Sequence, residues 1–144
     1  MRGTSLAVIA GAFALVGQSG MGLAQSASQA TGAQVQPRRL TAVELRALNS
    51  VPHTSYVAGN YGPNTNVAYF TPDGQIRFRS PNLHDVGTYR ITDDGKLCTK
   101  YKTLRDGVEN CQDIYQTSPD TFESQLPNGR IVKSRSVPGN PEGL

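Results

Sequence analysis

The amino-acid sequence predicts an all-β domain: an antiparallel up-and-down meander of about eight strands, curled into a small barrel and preceded by one short α-helix. Three observations carry that prediction. Turn triplets ending in glycine recur at Pro72-Asp73-Gly74, Asp93-Asp94-Gly95, Arg105-Asp106-Gly107 and Pro127-Asn128-Gly129, and each fits a three-residue hairpin loop. Between them apolar and polar residues alternate, as Ile76 and Phe78 do with Arg77 and Arg79. The composition is turn-rich and lightly charged, with 15 Gly, 9 Pro and 17% charged residues in a chain of 144.

The N-terminus reads as an address. Arg2 is a small positive start, and residues 6–16 (LAVIAGAFALV) are uncharged and mostly apolar. That run is too short to span a bilayer, which needs about 20 residues. Gly22-Leu23-Ala24 supplies the small residues of a cleavage site, so 1–24 has the layout of a signal peptide. No cysteine follows the apolar run, so a lipid anchor is not indicated. The expectation is a periplasmic or secreted protein with no membrane span after cleavage. Residues 25–39 (QSASQATGAQVQPRR) hold too little apolar surface for a core and read as a flexible leader. The folded unit is then 40–137, with 138–144 as an untethered, disordered tail.

The helix follows from a capping box. Thr41 is placed to cap, Glu44 is placed to reach back to the Thr41 amide, and Leu40 and Leu45 occupy the staple positions. Pro52 prevents continuation beyond about Asn49. Strands are predicted at 53–58, 66–71, 75–80, 86–92, 96–103, 109–116, 120–126 and 130–137. Ser80-Pro81-Asn82, Ser118-Pro119-Asp120 and residues 60–64 supply further turns. A three-residue loop at 93–95 puts Ile91 opposite Leu97 and Gly87 opposite Tyr101, which gathers the apolar side chains on one face. The 127–129 loop likewise sets Glu123 opposite Lys133. The expected core is Leu45, Leu48, Phe70, Ile76, Phe78, Tyr89, Ile91, Leu97, Tyr101, Ile114, Phe122, Leu126 and Val132.

Cys98 and Cys111 are the two cysteines, and in an exported chain a disulfide is the first reading. Closing a loop of about 14 residues contributes on the order of 3 kcal/mol in the chain-entropy account. A regular hairpin at Arg105-Asp106-Gly107 would pair Cys98 with Ile114 and Cys111 with Tyr101, too far offset for a bridge. Either the bridge exists and the 102–110 connection is longer or bulged, or the cysteines are free; the reading adopted is the bridge. No ligand pair has a usual zinc spacing, so no metal site is expected.

Chemistry is thinly signalled. The net charge is +3, or about +2 without Arg2, too little to imply nucleic acid. No nucleophile-elbow, zinc-protease, phosphate-loop or dinucleotide motif occurs, and no cofactor is indicated. His53 and His84 are the two histidines, and His84 with Asp85 falls in an expected loop. A small hydrolase using either histidine is the weakest of the functional readings. The most suggestive surface is basic: Arg77, Arg79, Arg90, Lys100 and Lys102 on successive strands, with Lys133 and Arg135 on the last. Shared on one face, they would hold an anionic ligand or partner. Tyr56, Tyr61 and Tyr69, with Asn60, Asn64 and Asn66, form a polar-aromatic stretch suited to a small molecule or glycan.

Gly87-Thr88-Tyr89-Arg90-Ile91 followed by Asp94-Gly95-Lys96-Leu97-Cys98 resembles small exported proteins of alphaproteobacteria that belong to families of unknown function. Those families pair such strands with a short Leu-Thr-x-x-Glu-Leu helix, here Leu40-Thr41-Ala42-Val43-Glu44-Leu45. The likeness includes the 69–78 hairpin. The chain departs at Tyr89, where tryptophan is common, and has no tryptophan at all. The resemblance implies a lipocalin-like β-domain outside the cytoplasm and no activity. The expected function is therefore a non-enzymatic monomeric β-domain that binds a small ligand or a cell-envelope component. The alternative is a protein-interaction module, such as an inhibitor or envelope-stress accessory factor, with no ligand cavity.

Overall fold

The structure is a computed structural model and describes residues 36–57 and 65–144. The expected signal peptide, leader residues 25–35, the 60–64 turn and Tyr61 lie outside the described residues.

The chain forms an eight-stranded antiparallel closed barrel with one extra strand and a single short helix. The elements are β1 (Arg38–Arg39), α1 (Ala42–Leu48), β2 (His53–Val57), β3 (Val67–Phe70), β4 (Gln75–Ser80), β5 (Leu83–Ile91), β6 (Lys96–Tyr101), β7 (Asn110–Ser118), β8 (Thr121–Gln125) and β9 (Ile131–Pro138). From β2 onward each strand pairs with the next, and β9 closes back on β2 from His53↔Pro138 to Val57↔Ser134. This is the up-and-down order of a lipocalin-like barrel. All eight predicted barrel strands are present.

The helix forms where its caps predict. The Thr41 hydroxyl accepts from the Glu44 amide at 3.3 Å, and Glu44 Oε2 accepts from the Thr41 amide at 2.9 Å. Leu40 and Leu45 are both buried. α1 lies across one end of the barrel, against the β5–β6 turn. There Arg46 pairs with Asp93 at 2.7 Å, and a Cβ on Gly95 would stand 3.1 Å from the Ala42 amide nitrogen. Gly95 sits at φ +78°, so the position needs glycine for both space and conformation.

Three of the four glycine triplets close hairpins as predicted. In each, the residue before the triplet accepts from the glycine amide: Gly74 N to Thr71 O, Gly95 N to Thr92 O and Gly129 N to Leu126 O. Ile91 faces Leu97, Gly87 faces Tyr101 and Glu123 faces Lys133, as the register argument requires. The fourth triplet is different. Residues 102–109 form a longer connection with a 3-10 turn at Leu104–Gly107, and this lets Cys98 pair directly with Cys111. The two are disulfide-bonded, with Cα atoms 3.9 Å apart.

Other boundaries are corrected by local chemistry. Pro81-Asn82 is a two-residue loop that turns the chain straight back, so β5 begins at Leu83 and His84-Asp85 lies in a strand, not a loop. Arg38 and Arg39, expected in the leader, pair with Gln116 and Tyr115 on the edge that β6 leaves uncovered. Residues expected as a free tail are held: the Gly139 amide donates to Pro52 O, and its carbonyl accepts from the Thr54 hydroxyl at 2.7 Å.

The core follows the inward-facing alternation. Leu45, Phe70, Ile76, Leu97, Tyr101, Ile114 and Phe122 are buried as expected, joined by Leu40 and Ala68, while Leu48, Phe78, Tyr89 and Ile91 are partly buried against them. Gly87 is the tightest point. A Cβ there would overlap the Lys100 carbonyl oxygen and lie 2.8 Å from Tyr101 Cα, so only glycine lets β5 and β6 approach so closely.

Candidate functional site

The predicted surface residues do not form one open cationic patch. Arg77 and Arg79 point outward from β4 and Arg90 from β5, as their alternation requires. Two of the three are neutralised. Glu142 accepts from Arg79 and from the Tyr56 hydroxyl, and Glu109 binds Arg90 through two hydrogen bonds of 2.8 and 2.6 Å. Lys133 pairs with Glu123, and Arg135 with Asp120. Arg77, Lys100 and Lys102 form no ion pair among the described residues. Tyr56 is buried on the outer face beneath Glu142, while Tyr69 is half-buried and directly opposite Arg77. Charge spacing along the sequence could not reveal Glu142 as the partner, because 63 residues separate it from Arg79.

The histidines lie on opposite faces. His84 is exposed and stands opposite Arg79. His53 faces inward, stacked on Phe70 with ring centres 4.9 Å apart. Burial lowers its pKa, and the Val51 carbonyl beside Nδ1 offsets this only in part.

The barrel interior holds a cavity of about 390 Å³. Its size follows from which residues face inward. One wall carries large apolar groups, including Phe70, Phe78, Leu97 and Ile114, while Leu45 and Leu48 close the α1 end. The β8–β9–β2 wall interleaves Ser124, Ser134, Ser136 and Ser55 with Phe122, Leu126, Val132 and Val57. Serine is too short to reach the opposite wall, so the space stays open. None of these four hydroxyls has a hydrogen-bond partner among the described residues. Asn49, which also lines the cavity, is buried; its amide nitrogen donates to Leu45 O, but its Oδ1 has no partner among the described residues.

At the end away from α1, the β6–β7 connection places Arg105 over the cavity. Its guanidinium donates to the Thr99 hydroxyl at 3.0 Å and stands 5.4 Å from the Tyr101 ring centre. Arg105 and Asp106 both adopt left-handed backbone, at φ 58° and 55°, which costs energy for residues with a Cβ. Asp85 holds this connection in place. Its carboxylate accepts from the Thr103 amide and hydroxyl, the Leu104 amide and the Val86 amide. Burial alone would push the Asp85 carboxyl up, but these four donors win and bring it down to about 2. Burial pushes the Tyr101 phenol well above its ordinary value, with Arg105 opposing, so it remains neutral. Sequence reasoning missed Arg105, Asp85 and Asn49 as site residues. Ser124 had a visible signal, since strand alternation puts it on the same face as Phe122 and Leu126, two residues of the expected core.

The grouping of potential metal ligands found among the described residues is Cys98, Glu109 and Cys111, and the disulfide occupies both sulfurs. Among those residues no helix is long and apolar enough to cross a membrane. The chain matches no protein-family profile, and no significant similarity links it to a curated protein or to a solved structure. The closed β-barrel fits a binding-type domain.

Proposed function

We propose that this protein is an exported, non-enzymatic binding module that carries a small, largely apolar molecule inside its barrel. The observation that carries this reading is the cavity: largely apolar, with four serine hydroxyls that have no partner among the described residues, and of a volume typical of small-ligand sites. The alternative of a protein-docking module needs no hollow interior, so the cavity favours the first reading. The Cys98–Cys111 bridge fits an oxidising compartment, and the apolar run at 6–16 fits a signal for reaching one.

Ser134 offers a direct test, because it stands opposite Phe122 on β8 and Val57 on β2. Native mass spectrometry of the protein from its producing cell is expected to show excess mass that is lost on denaturation. Ser134→Phe should remove that mass and weaken binding of the neutral fluorescent probe N-phenyl-1-naphthylamine at least about tenfold, with the circular dichroism spectrum unchanged. A bare wild-type mass together with no probe binding would overturn the proposal.

A further inference from the structure

We infer that the molecule held in the barrel is an amphipathic anion, a free carboxylate on an apolar body, with its head group at Arg105. This rests on the cavity-binding reading above. The first support is charge. Arg105 and Arg130 line the cavity, and no aspartate or glutamate does so among the described residues. His53, the other ionisable nitrogen on the wall, is held towards neutrality by burial. Arg105 makes no ion pair among the described residues; its polar partner is the neutral Thr99 hydroxyl. A guanidinium has five N–H donors, so most of its hydrogen-bonding capacity remains for a carboxylate.

The second support is independent of charge. The connection bearing Arg105 is strained at two successive residues and tied down by three hydrogen bonds to Asp85, from the Thr103 amide and hydroxyl and the Leu104 amide. Arg105 is exposed at the barrel mouth, yet its guanidinium is held there by the Thr99 hydroxyl and stands 5.4 Å from the Tyr101 ring centre. Asp85 fixes the turn that carries it. Asp85 spends its oxygens on Thr103, Leu104 and Val86 and forms no ion pair with Arg105. The opposite end of the cavity is largely apolar, with Leu45, Leu48 and Phe70 beside the buried Asn49 and His53, and its apolar surface suits a hydrocarbon tail.

The test is calorimetric titration of the intact protein with dodecanoate, its methyl ester and dodecyltrimethylammonium. These probes share a tail and differ in head charge. Wild-type protein is expected to bind dodecanoate at least about tenfold more tightly than the ester and to bind the cation weakest. Arg105→Gln should remove the preference for the carboxylate while leaving ester affinity unchanged, and Arg105→Lys should restore part of it. Equal affinity for carboxylate and ester, or a preference that survives Arg105→Gln, would overturn this inference and leave the cavity-binding reading intact. No binding of any of the three probes to wild-type protein would overturn both.

Discussion

At the scale of single residues, His53 couples burial to pH. Its folded-state pKa lies below the ordinary 6.5, because burial penalises the imidazolium more than the Val51 carbonyl supports it. Below pH 6.5 the unfolded chain takes up a proton that the folded chain refuses, so stability falls as pH drops from there toward the folded-state value. Urea midpoints measured at pH 7.5 and 5 are expected to decrease, and His53→Gln should flatten that decrease. An unchanged slope in His53→Gln would assign the effect elsewhere. Asp85 lies at the other extreme of the same physics: it is also buried, but four donors hold it ionised. The sequence distinguishes neither case. Burial of His53 and the donors to Asp85 that lie 18 to 19 residues away both arise from geometry that only the fold defines.

Among the elements, β6 and β7 show what local patterning reveals and where it stops. Strand alternation and three glycine turns set eight strands and much of the register in advance, because side-chain period and turn length are both local properties. The β6–β7 pair was legible through its cysteines, whose expected bridge required the longer 102–110 connection that forms. Its turn triplet matches the other three in composition, yet the bridge holds Cys98 opposite Cys111 and the intervening chain must take a longer path. A cross-link thus overrode a turn signal. β1 was missed for a different reason: two arginines carry no apolar signal, and their partners lie on β7, far along the chain. The cavity was illegible because its space depends on four short side chains from three strands facing one another. The bridge has a stability effect of its own. Replacing both cysteines by alanine should lower stability by about 3 kcal/mol by the chain-entropy account. Denaturant titration of the double variant checks this, and a loss below about 1 kcal/mol would mean that β-pairing alone keeps the register.

For the whole molecule, the decisive feature is closure. β2 and β9 meet in register, and the segment beyond β9 fastens the seam. The Gly139 amide reaches Pro52 O, the Thr54 hydroxyl reaches Gly139 O, and Glu142 spans Tyr56 and Arg79. Deleting residues 139–144 removes these bonds and uncovers Tyr56, at a cost on the order of 2 kcal/mol after the entropy of ordering is regained. Hydrogen exchange should locate the loss at β2 and β9, with β5 and β6 retaining most of their protection. Uniform loss around the barrel would contradict a seam that opens first. The general layout was plain from the turn rhythm. The clamp was not, because glycine- and proline-rich residues near an end read as loose whether or not they are tied.

The seam also sets a timetable. Every other barrel pairing joins strands adjacent along the chain and is available as soon as the second of them exists. The β2–β9 pairing is the exception. Synthesis proceeds from the N-terminus, so β2 must wait for nearly the whole domain to emerge before its outer edge finds a partner. Until then the nascent protein is an open, curling ribbon with two bare edges, the state in which strands pair with the wrong molecule. A chain halted before Ile131 would remain in that state. Closure therefore belongs to β9, and the hazardous interval ends only when that strand arrives.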